Sequence, residues 1–361
     1  MRRLTHSVDQ RTSSRAANGG RNEGGAVLVF VAIGMVMLIG FVAITVDFGR
    51  IYSERRELQN GADAAALAVA QDCALGNCAG GYDPYPVAEQ YADANASDGL
   101  ASVDDIGLDL GAQQVRVKAI TEDPGGDNFF DMTFAKILGY DGLTVGADAT
   151  VAWGAPKGGA TLPLIFSVCE WRRFQDSLHP GTAVINDELP PTGGYPRMSE
   201  YSTVYFHKED VVDGEGKRCT DSESGQDLPG GFGWLESAGG CSAEIDVNDT
   251  VGIDPGASPT TGCSSSDLKD LLGTVVLIPY FDTFTGTGNN ARYHVAGFGA
   301  LYLTGYNFTG QYKEKSWITG GKACSPPDTC IEGYFIDPWN AAGGGEIGGG
   351  DFGVVVIQFV D

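Results

Sequence analysis

The sequence predicts a membrane-anchored α+β protein: a long N-terminal transmembrane helix, a small α/β unit, and then a disulfide-containing β-rich domain. Three observations support this fold class. Residues Gly25–Val46 form one uncharged, strongly apolar run. A proline-free, alanine-rich segment follows directly. The remainder holds short apolar stretches between loops rich in glycine, and all eight cysteines follow the apolar run.

The apolar run has the length of a membrane span. A helix over its 22 residues is ~33 Å long, against a bilayer core of ~30 Å. Five arginines precede the run, which favours a cytoplasmic N-terminus. All cysteines follow it, which favours an extracytoplasmic, oxidising location for the body. A cleaved signal peptide is the alternative, but the run exceeds the roughly 7–15 apolar residues of such a peptide.

Composition narrows the function classes. The formal net charge is −24 and the pI is about 4.3. Such an acidic body repels phosphate backbones, so the sequence predicts no nucleic-acid partner. The chain is nevertheless too apolar to be disordered, and the part after the run is long enough for one or two domains with a core.

The sequence predicts helices in the first half of the chain and mainly strands in the second. Tyr52, Leu58 and Val69 fall near helical spacing, so we expect a helix of ~45 residues from Ala26 to Gln71. Helices are expected at Val87–Ala96 and Phe129–Leu138. Strands are expected at 114–120, 143–153, 162–168, 274–280, 293–306, 333–336 and 352–360, with an irregular insertion at 181–270. The predicted boundaries are a basic tail (1–24), the transmembrane helix (25–46), a helical extension (47–73), the α/β unit (74–160) and the β-rich domain (161–361).

The cysteines predict disulfides rather than zinc, because no C-x-x-C pair occurs and extracytoplasmic thiols are usually oxidised. Two close pairs span turn-like sequences, Cys73 with Cys78 and Cys324 with Cys330, and we expect both to be local bridges. The other four, Cys169, Cys219, Cys241 and Cys263, allow three connectivities.

Catalytic and cofactor motifs point to no enzyme, so we predict no catalytic residue, metal or cofactor. His294 has the setting of a strand residue with one hydrogen-bonded nitrogen more than that of a general base. Asp246–Asp249 with Asp254 is the one calcium-like carboxylate cluster, but it lacks the glycine and glutamate of an EF-hand. Gly286–Ala291 matches a dinucleotide pattern, yet a strand follows it, which predicts a hairpin loop.

The segment around the apolar run carries a family resemblance. It reads Arg21-Asn-Glu-Gly-Gly-Ala before the run, then Val46-Asp-Phe-Gly-Arg-Ile-Tyr and Arg56-Glu-Leu-Gln-Asn-Gly-Ala-Asp-Ala-Ala-Ala-Leu-Ala after it. Over residues 21–73 the chain resembles TadG-like Flp pilus-assembly proteins. The resemblance implies an inner-membrane anchor in the bacterial cell envelope with the body outside. Separately, a long helix followed by the small α/β unit of residues 74–160 has the build of pilins, in which a long helix lies on a small sheet, and this analogy is at the level of the fold. The metal motif D-x-S-x-S of relatives with a von Willebrand A domain is missing here.

From this resemblance we predict a single-pass component of Flp/Tad pilus assembly or surface attachment. It would act by protein–protein contact with other pilus-assembly or envelope proteins and with the bilayer. The residues predicted to make assembly contacts, because they match the family segment, are Asp47, Gly49, Arg50, Tyr52, Leu58, Gln59 and Asp63. The alternative is a membrane-tethered extracellular hydrolase or ligand-binding module in the β-rich domain.

Overall fold

The computed structural model describes residues 24–168, 202–205, 233–254, 259–286, 290–317, 320–324, 329–336, 339–340 and 345–360. The chain divides into two compact units. The first combines the described residues up to Ser53 with Phe130–Leu143. The second combines Glu54–Phe129 with the described residues from Thr144 onwards.

The described helices are α1 (Gly24–Ala74), α2 (Tyr85–Asn95), a 3-10 helix (Ala135–Leu138) and α3 (Ser265–Asp270). The strands are β1 (Ala101–Asp109), β2 (Gln114–Thr121), β3 (Phe130–Asp131), β4 (Gly142–Leu143), β5 (Gly146–Gly154), β6 (Gly158–Thr161), β7 (Phe166–Ser167), β8 (Ser202–Tyr205), β9 (Ala243–Asp246), β10 (Thr250–Gly252), β11 (Val275–Thr285), β12 (Arg292–Asn307), β13 (Lys313–Glu314), β14 (Cys330–Ile336), β15 (Trp339–Asn340) and β16 (Val354–Phe359). The α+β content and the long apolar N-terminal helix agree with the sequence prediction.

Helix α1 is continuous over 51 residues and passes through Gly61 without a break. Nearly all of its side chains from Val27 to Val46 are exposed. By length and composition, α1 is the one helix among the described residues that is able to cross a membrane. The window that meets this criterion has none of its residues buried within the protein.

In the second unit, the alanine-rich half of α1 packs closely against α2. Ala62, Ala65 and Ala66 are fully buried, as is Ala88 on α2. A Cβ added to Gly61 would lie 3.2 Å from the carbonyl oxygen of Ala92. The small side chains therefore permit a close approach of the two helices.

A five-stranded sheet in the second unit has the order β1-β2-β5-β16-β15. Its neighbours are antiparallel, except that β15 and β16 are parallel. Strand β16 pairs with β5, for instance Val356 with Gly154. The C-terminal strand, which the sequence led us to expect within the β-rich domain, thus belongs to the sheet of the α/β unit. An apolar strand specifies burial but not which sheet buries it.

A seven-stranded sheet forms the β-rich part of the second unit. Its main path is β7-β11-β12-β14-β8, with β10 and β13 also paired to β12. The longest strand, β12, is buried along most of its length. Large buried side chains such as Trp234, Tyr280 and Phe298 fill the core around this sheet.

Two local predictions were wrong. The expected helix Phe129–Leu138 is instead the short strand β3 followed by a single 3-10 turn. The expected strand 162–168 is interrupted, so that only Phe166–Ser167 pair as β7. In the first segment Phe130 and Asp131 pair with Leu143 and Gly142, so that the residues after them form only one 3-10 turn. In the second, Pro163 supplies no N–H for a strand ladder.

Candidate functional site at the end of the apolar helix

Asp47 is the first charged residue after the apolar run, and it is almost completely buried. It is 7% exposed. Its carboxylate accepts hydrogen bonds from the backbone N–H groups of Thr133 (3.0 Å), Phe134 (3.1 and 3.2 Å) and Ala135 (2.7 Å). Ala135 is the first residue of the 3-10 helix, Phe134 is its N-cap, and the N–H groups at such a start have no partner within the helix. Asp47 therefore caps this helix from another element, where a negative charge is also favoured by the helix dipole.

Arg50 lies three residues further along α1, on the same face as Asp47. Its Nη1 donates to the carbonyl oxygen of Asp131 at 3.2 Å and to Oγ1 of Thr133. The guanidinium carbon also lies 5.1 Å from the ring centroid of Phe130, in the range of a cation–π contact. Asp47 and Arg50 together hold both the start and the turn of the Phe130–Leu143 loop against α1.

The Phe130–Leu143 loop has its own closed hydrogen-bond network. Strands β3 and β4 pair at its base, and the N–H of Met132 donates to the carbonyl of Asp141 at 3.1 Å. At the other end of the 3-10 helix Gly139 has φ +87°, a left-handed value that suits glycine. The N–H of Tyr140 donates back to the carbonyl of Ala135 at 3.1 Å, as in a Schellman motif.

The other residues predicted to make assembly contacts divide between surface and core. Gly49 and Tyr52 are exposed, and an added Cβ at Gly49 would meet no described atom within 4 Å. Leu58 is buried at 1% exposure. Gln59 donates to Asp63 (2.8 Å) and to the carbonyl oxygen of Asp148 (3.1 Å) within the second unit. Several residues of the family segment thus have intramolecular partners.

No sequence pattern indicated the Phe130–Leu143 loop as the partner of Asp47 and Arg50. The two sides are separated by more than 80 residues. The spacing of an acid and an arginine three residues apart, just after an apolar run, is a signal for a shared partner on one helix face. It does not say which part of the chain that partner is.

Three disulfides lie among the described residues. They join Cys73 to Cys78, Cys241 to Cys263 and Cys324 to Cys330. The first and last are the local pairs that the sequence predicts, and the second is a pair from the four whose connectivity was open. Cys169 and Cys219 lie outside the described residues.

The remaining residues that the sequence singled out for catalytic, calcium or dinucleotide binding lie in ordinary contacts and turns of the fold. Nδ1 of His294 lies 2.7 Å from Oδ1 of Asp282 across the β11–β12 pair. The calcium-like segment is a turn in which the N–H of Asp246 donates to Asp249 at 3.2 Å. No cluster of three or more His, Cys, Asp or Glu side chains suited to a metal occurs in the described part of the chain. Gly286 directly follows β11 and Ala291 directly precedes the antiparallel β12, and residues 287–289 of this dinucleotide-like segment lie outside the described residues.

A cleft of about 490 Å³ opens in the β-rich part of the second unit. Its lining includes Glu236, Glu244 and Arg292, among apolar residues such as Leu235 and Ile245. Arg292 Nη1 donates to the carbonyl of Ala291 at 3.0 Å. A cleft lined by both charged and apolar residues is able to hold a small polar ligand.

Comparison with known proteins bears on the N-terminal segment. Residues 24–72 match the Tad family model, described as Flp pilus-assembly TadE/G-like. This is the segment whose motifs resemble TadG-like proteins, so the resemblance is confirmed there. The match contains α1 with Asp47 and Arg50. No curated protein and no solved structure shows a significant match to the chain.

Proposed function

We propose that this protein is a single-pass, membrane-anchored component of Flp-type pilus assembly or surface attachment, and that it acts by protein–protein contact rather than by catalysis. The observation that carries the proposal is the overlap of two features. The segment that matches the pilus-assembly family is the same segment that forms a long apolar helix with exposed side chains. An exposed apolar helix of this length requires an apolar surrounding such as a bilayer.

The proposed topology places the N-terminus in the cytoplasm and the body outside. The arginines before the apolar run favour this orientation. The three disulfides support it independently, because such bridges persist in oxidising compartments. The body would form a small α/β unit of the pilin kind followed by the β-rich part.

The proposed contact with partners lies on the exposed side of α1 just after the span. Asp47 and Arg50 already have intramolecular partners, so they act by shaping the segment. Gly49 and Tyr52 are exposed in the same turns of the helix. A glycine on a helix surface lets a partner helix approach closely, and a tyrosine offers a large contact area with one polar atom.

Photo-crosslinking in native membranes tests this function. The full-length protein carries p-benzoylphenylalanine in place of Tyr52, or in place of Tyr91 as a matched control. Tyr91 is 43% exposed and lies on α2, outside the family segment. We expect the probe at position 52 to capture identified pilus-assembly or envelope proteins, and the probe at position 91 not to capture them. Equal capture from both positions, or capture of unrelated proteins alone at position 52, contradicts the proposal.

The cleft supports a second candidate function, a ligand-binding module held at the membrane. Two carboxylates and a guanidinium around a space of about 490 Å³ would favour a small ligand with both hydrogen-bond donors and an anionic group. Thermal shifts of the full-length protein in detergent with a metabolite panel would test it. A ligand whose shift disappears in Arg292→Ala favours this function, and absence of any shift removes it.

A further inference from the structure

Large apolar side chains are exposed at the tip of the Phe130–Leu143 loop. Ile137 is 81% exposed and Tyr140 is 70% exposed. Phe48, the residue after Asp47 on α1, is 67% exposed. Exposed apolar groups of this size are usually covered by a partner or a membrane. The contacts of the loop with α1 bear on which covering applies.

A short chain of hydrogen bonds connects the loop tip to Asp47. The Asp47 carboxylate accepts from the N–H of Ala135 at 2.7 Å, and the carbonyl of Ala135 accepts from the N–H of Tyr140 at 3.1 Å. Ile137 lies within the same 3-10 turn, where its N–H donates to the carbonyl of Phe134 at 3.0 Å. Asp47 itself directly follows Val46, the last residue of the apolar run.

The distances involved are smaller than the thickness of a lipid headgroup layer. A 3-10 helix rises ~2 Å per residue, so Ile137 lies ~4 Å along the helix axis from Ala135. The headgroup layer on each side of a bilayer is roughly 5–8 Å thick. If the run up to Val46 fills the hydrocarbon core, Asp47 lies at its outer boundary. Ile137 and Tyr140 then lie within reach of the headgroup layer.

We propose that the tip of the Phe130–Leu143 loop is a second, interfacial membrane anchor, in which Ile137 and Tyr140 enter the headgroup region beside the span. Asp47 and Arg50 are positioning residues that hold the tip there. The proposal rests on the proposed membrane span of α1. Tyrosine suits this layer because its ring is apolar and its hydroxyl is wet.

The chemistry of the tip points to a neutral lipid surface. Lys136 is the basic residue of the 3-10 turn, and its Nζ lies 2.9 Å from Oδ1 of Asp131. Its charge is therefore compensated within the loop. Insertion depends on apolar contact, so we expect a zwitterionic phosphatidylcholine bilayer to bind the tip without any anionic lipid.

Lipid photolabelling of the reconstituted full-length protein tests the proposal. The vesicles consist of phosphatidylcholine doped with an analogue that carries a diazirine close to the glycerol backbone. Adducts are then located by peptide mass spectrometry. We expect adducts on the apolar run and on the peptide that contains Ile137 and Tyr140. The control peptide contains Trp317, an exposed aromatic residue of the second unit at 43% exposure, and we expect far fewer adducts on it.

Variants separate membrane contact from simple exposure. In Ile137→Ser with Tyr140→Ser the loop adducts should fall to the level of the Trp317 peptide while the run stays labelled. In Asp47→Ala they should also fall, because the tip is no longer held. Labelling of the run without labelling of the loop overturns the interfacial anchor alone. Labelling of the Trp317 peptide equal to that of the loop overturns it too. An unlabelled run refutes the span itself, and with it both proposals.

Discussion

Replacing Asp47 by alanine is the most direct perturbation of the site. The carboxylate is buried, and it accepts hydrogen bonds from three successive backbone N–H groups, those of Thr133, Phe134 and Ala135. Alanine leaves all three without this acceptor. We expect the Phe130–Leu143 loop to open more often, while the rest of the protein keeps its stability.

The expected cost follows from the number and kind of bonds that are lost. Loss of a helix N-cap costs about 0.5–2 kcal/mol, and a hydrogen bond to a charged group contributes about 1.5–3 kcal/mol. Water enters the opened site and satisfies part of the loss. We therefore expect a local destabilisation of about 2–3 kcal/mol, which corresponds to roughly a 30- to 150-fold increase in the population of the open loop.

Hydrogen exchange of the full-length protein in micelles measures this population. The amides of residues 133–135 should lose protection by that factor in Asp47→Ala, and by less in Asp47→Asn, which keeps one acceptor oxygen. Asp123→Ala is the matched control, because Asp123 accepts from the N–H groups of Gly125 (2.8 Å) and Asp127 (2.9 Å) in its own turn. Unchanged protection at 133–135 in Asp47→Ala would refute the capping role.

Three comparisons of variants test packing and burial. Each is measured by chemical or thermal unfolding of the full-length protein. The buried hydroxyl of Tyr293 has no hydrogen-bond partner among the described residues, and burial raises the pKa of Tyr293 to about 12. The hydroxyl of Tyr312, by contrast, donates to the carbonyl oxygen of Cys263 at 3.1 Å. Tyr293→Phe should thus be neutral or stabilising, and Tyr312→Phe should cost about 1 kcal/mol; equal losses would argue against this assignment. Gly61→Val should lower the free energy of unfolding by about 1–3 kcal/mol, because the new side chain overpacks against the backbone of α2. Gly49→Val is the control and should cost little, because a Cβ there meets no described atom within 4 Å. A larger loss in Gly49→Val than in Gly61→Val would exclude the close α1–α2 contact. Burial raises the pKa of Glu332 above 4.5, so its carboxyl group binds a proton more tightly in the folded state than in the unfolded state. The stability that this proton contributes is present below pH 4.5 and is lost as the pH rises through the raised pKa of the folded state. Glutamine does not titrate, so Glu332→Gln should not lose stability in this way. The free energy of unfolding of Glu332→Gln relative to the wild type should therefore increase from pH 4 to pH 8. A difference that stays constant with pH would contradict this prediction.

Sequence patterns predicted the elements that depend on local composition. The apolar run and the alanine-rich segment specify α1, and its bounds differ from the prediction by two or three residues. Long apolar strands such as β11 and β12 were also found near their predicted positions. Strand β1 was missed, because its sequence Ala101–Asp109 is acidic and half exposed, with no clear apolar alternation.

Features that depend on distant pairing were not accessible from the sequence. The capping of the 3-10 helix joins Asp47 to residues 133–135, and neither side shows a pattern that names the other. The pairing of β16 with β5 joins segments about 200 residues apart. The family motif indicated a role for Asp47 and Arg50. The same motif would arise whether these residues bind a partner protein or hold another part of their own chain. The hydrogen bonds of both residues to the Phe130–Leu143 loop distinguish the two roles.

The topology of the chain tests the central claim most directly. A tandem reporter of alkaline phosphatase and green fluorescent protein is fused to the C-terminus of the full-length protein in a bacterial host. A single span with an extracytoplasmic body predicts high phosphatase activity and no fluorescence, because only an exported phosphatase forms its disulfides. Bright fluorescence without phosphatase activity would place the body in the cytoplasm and contradict the proposed topology.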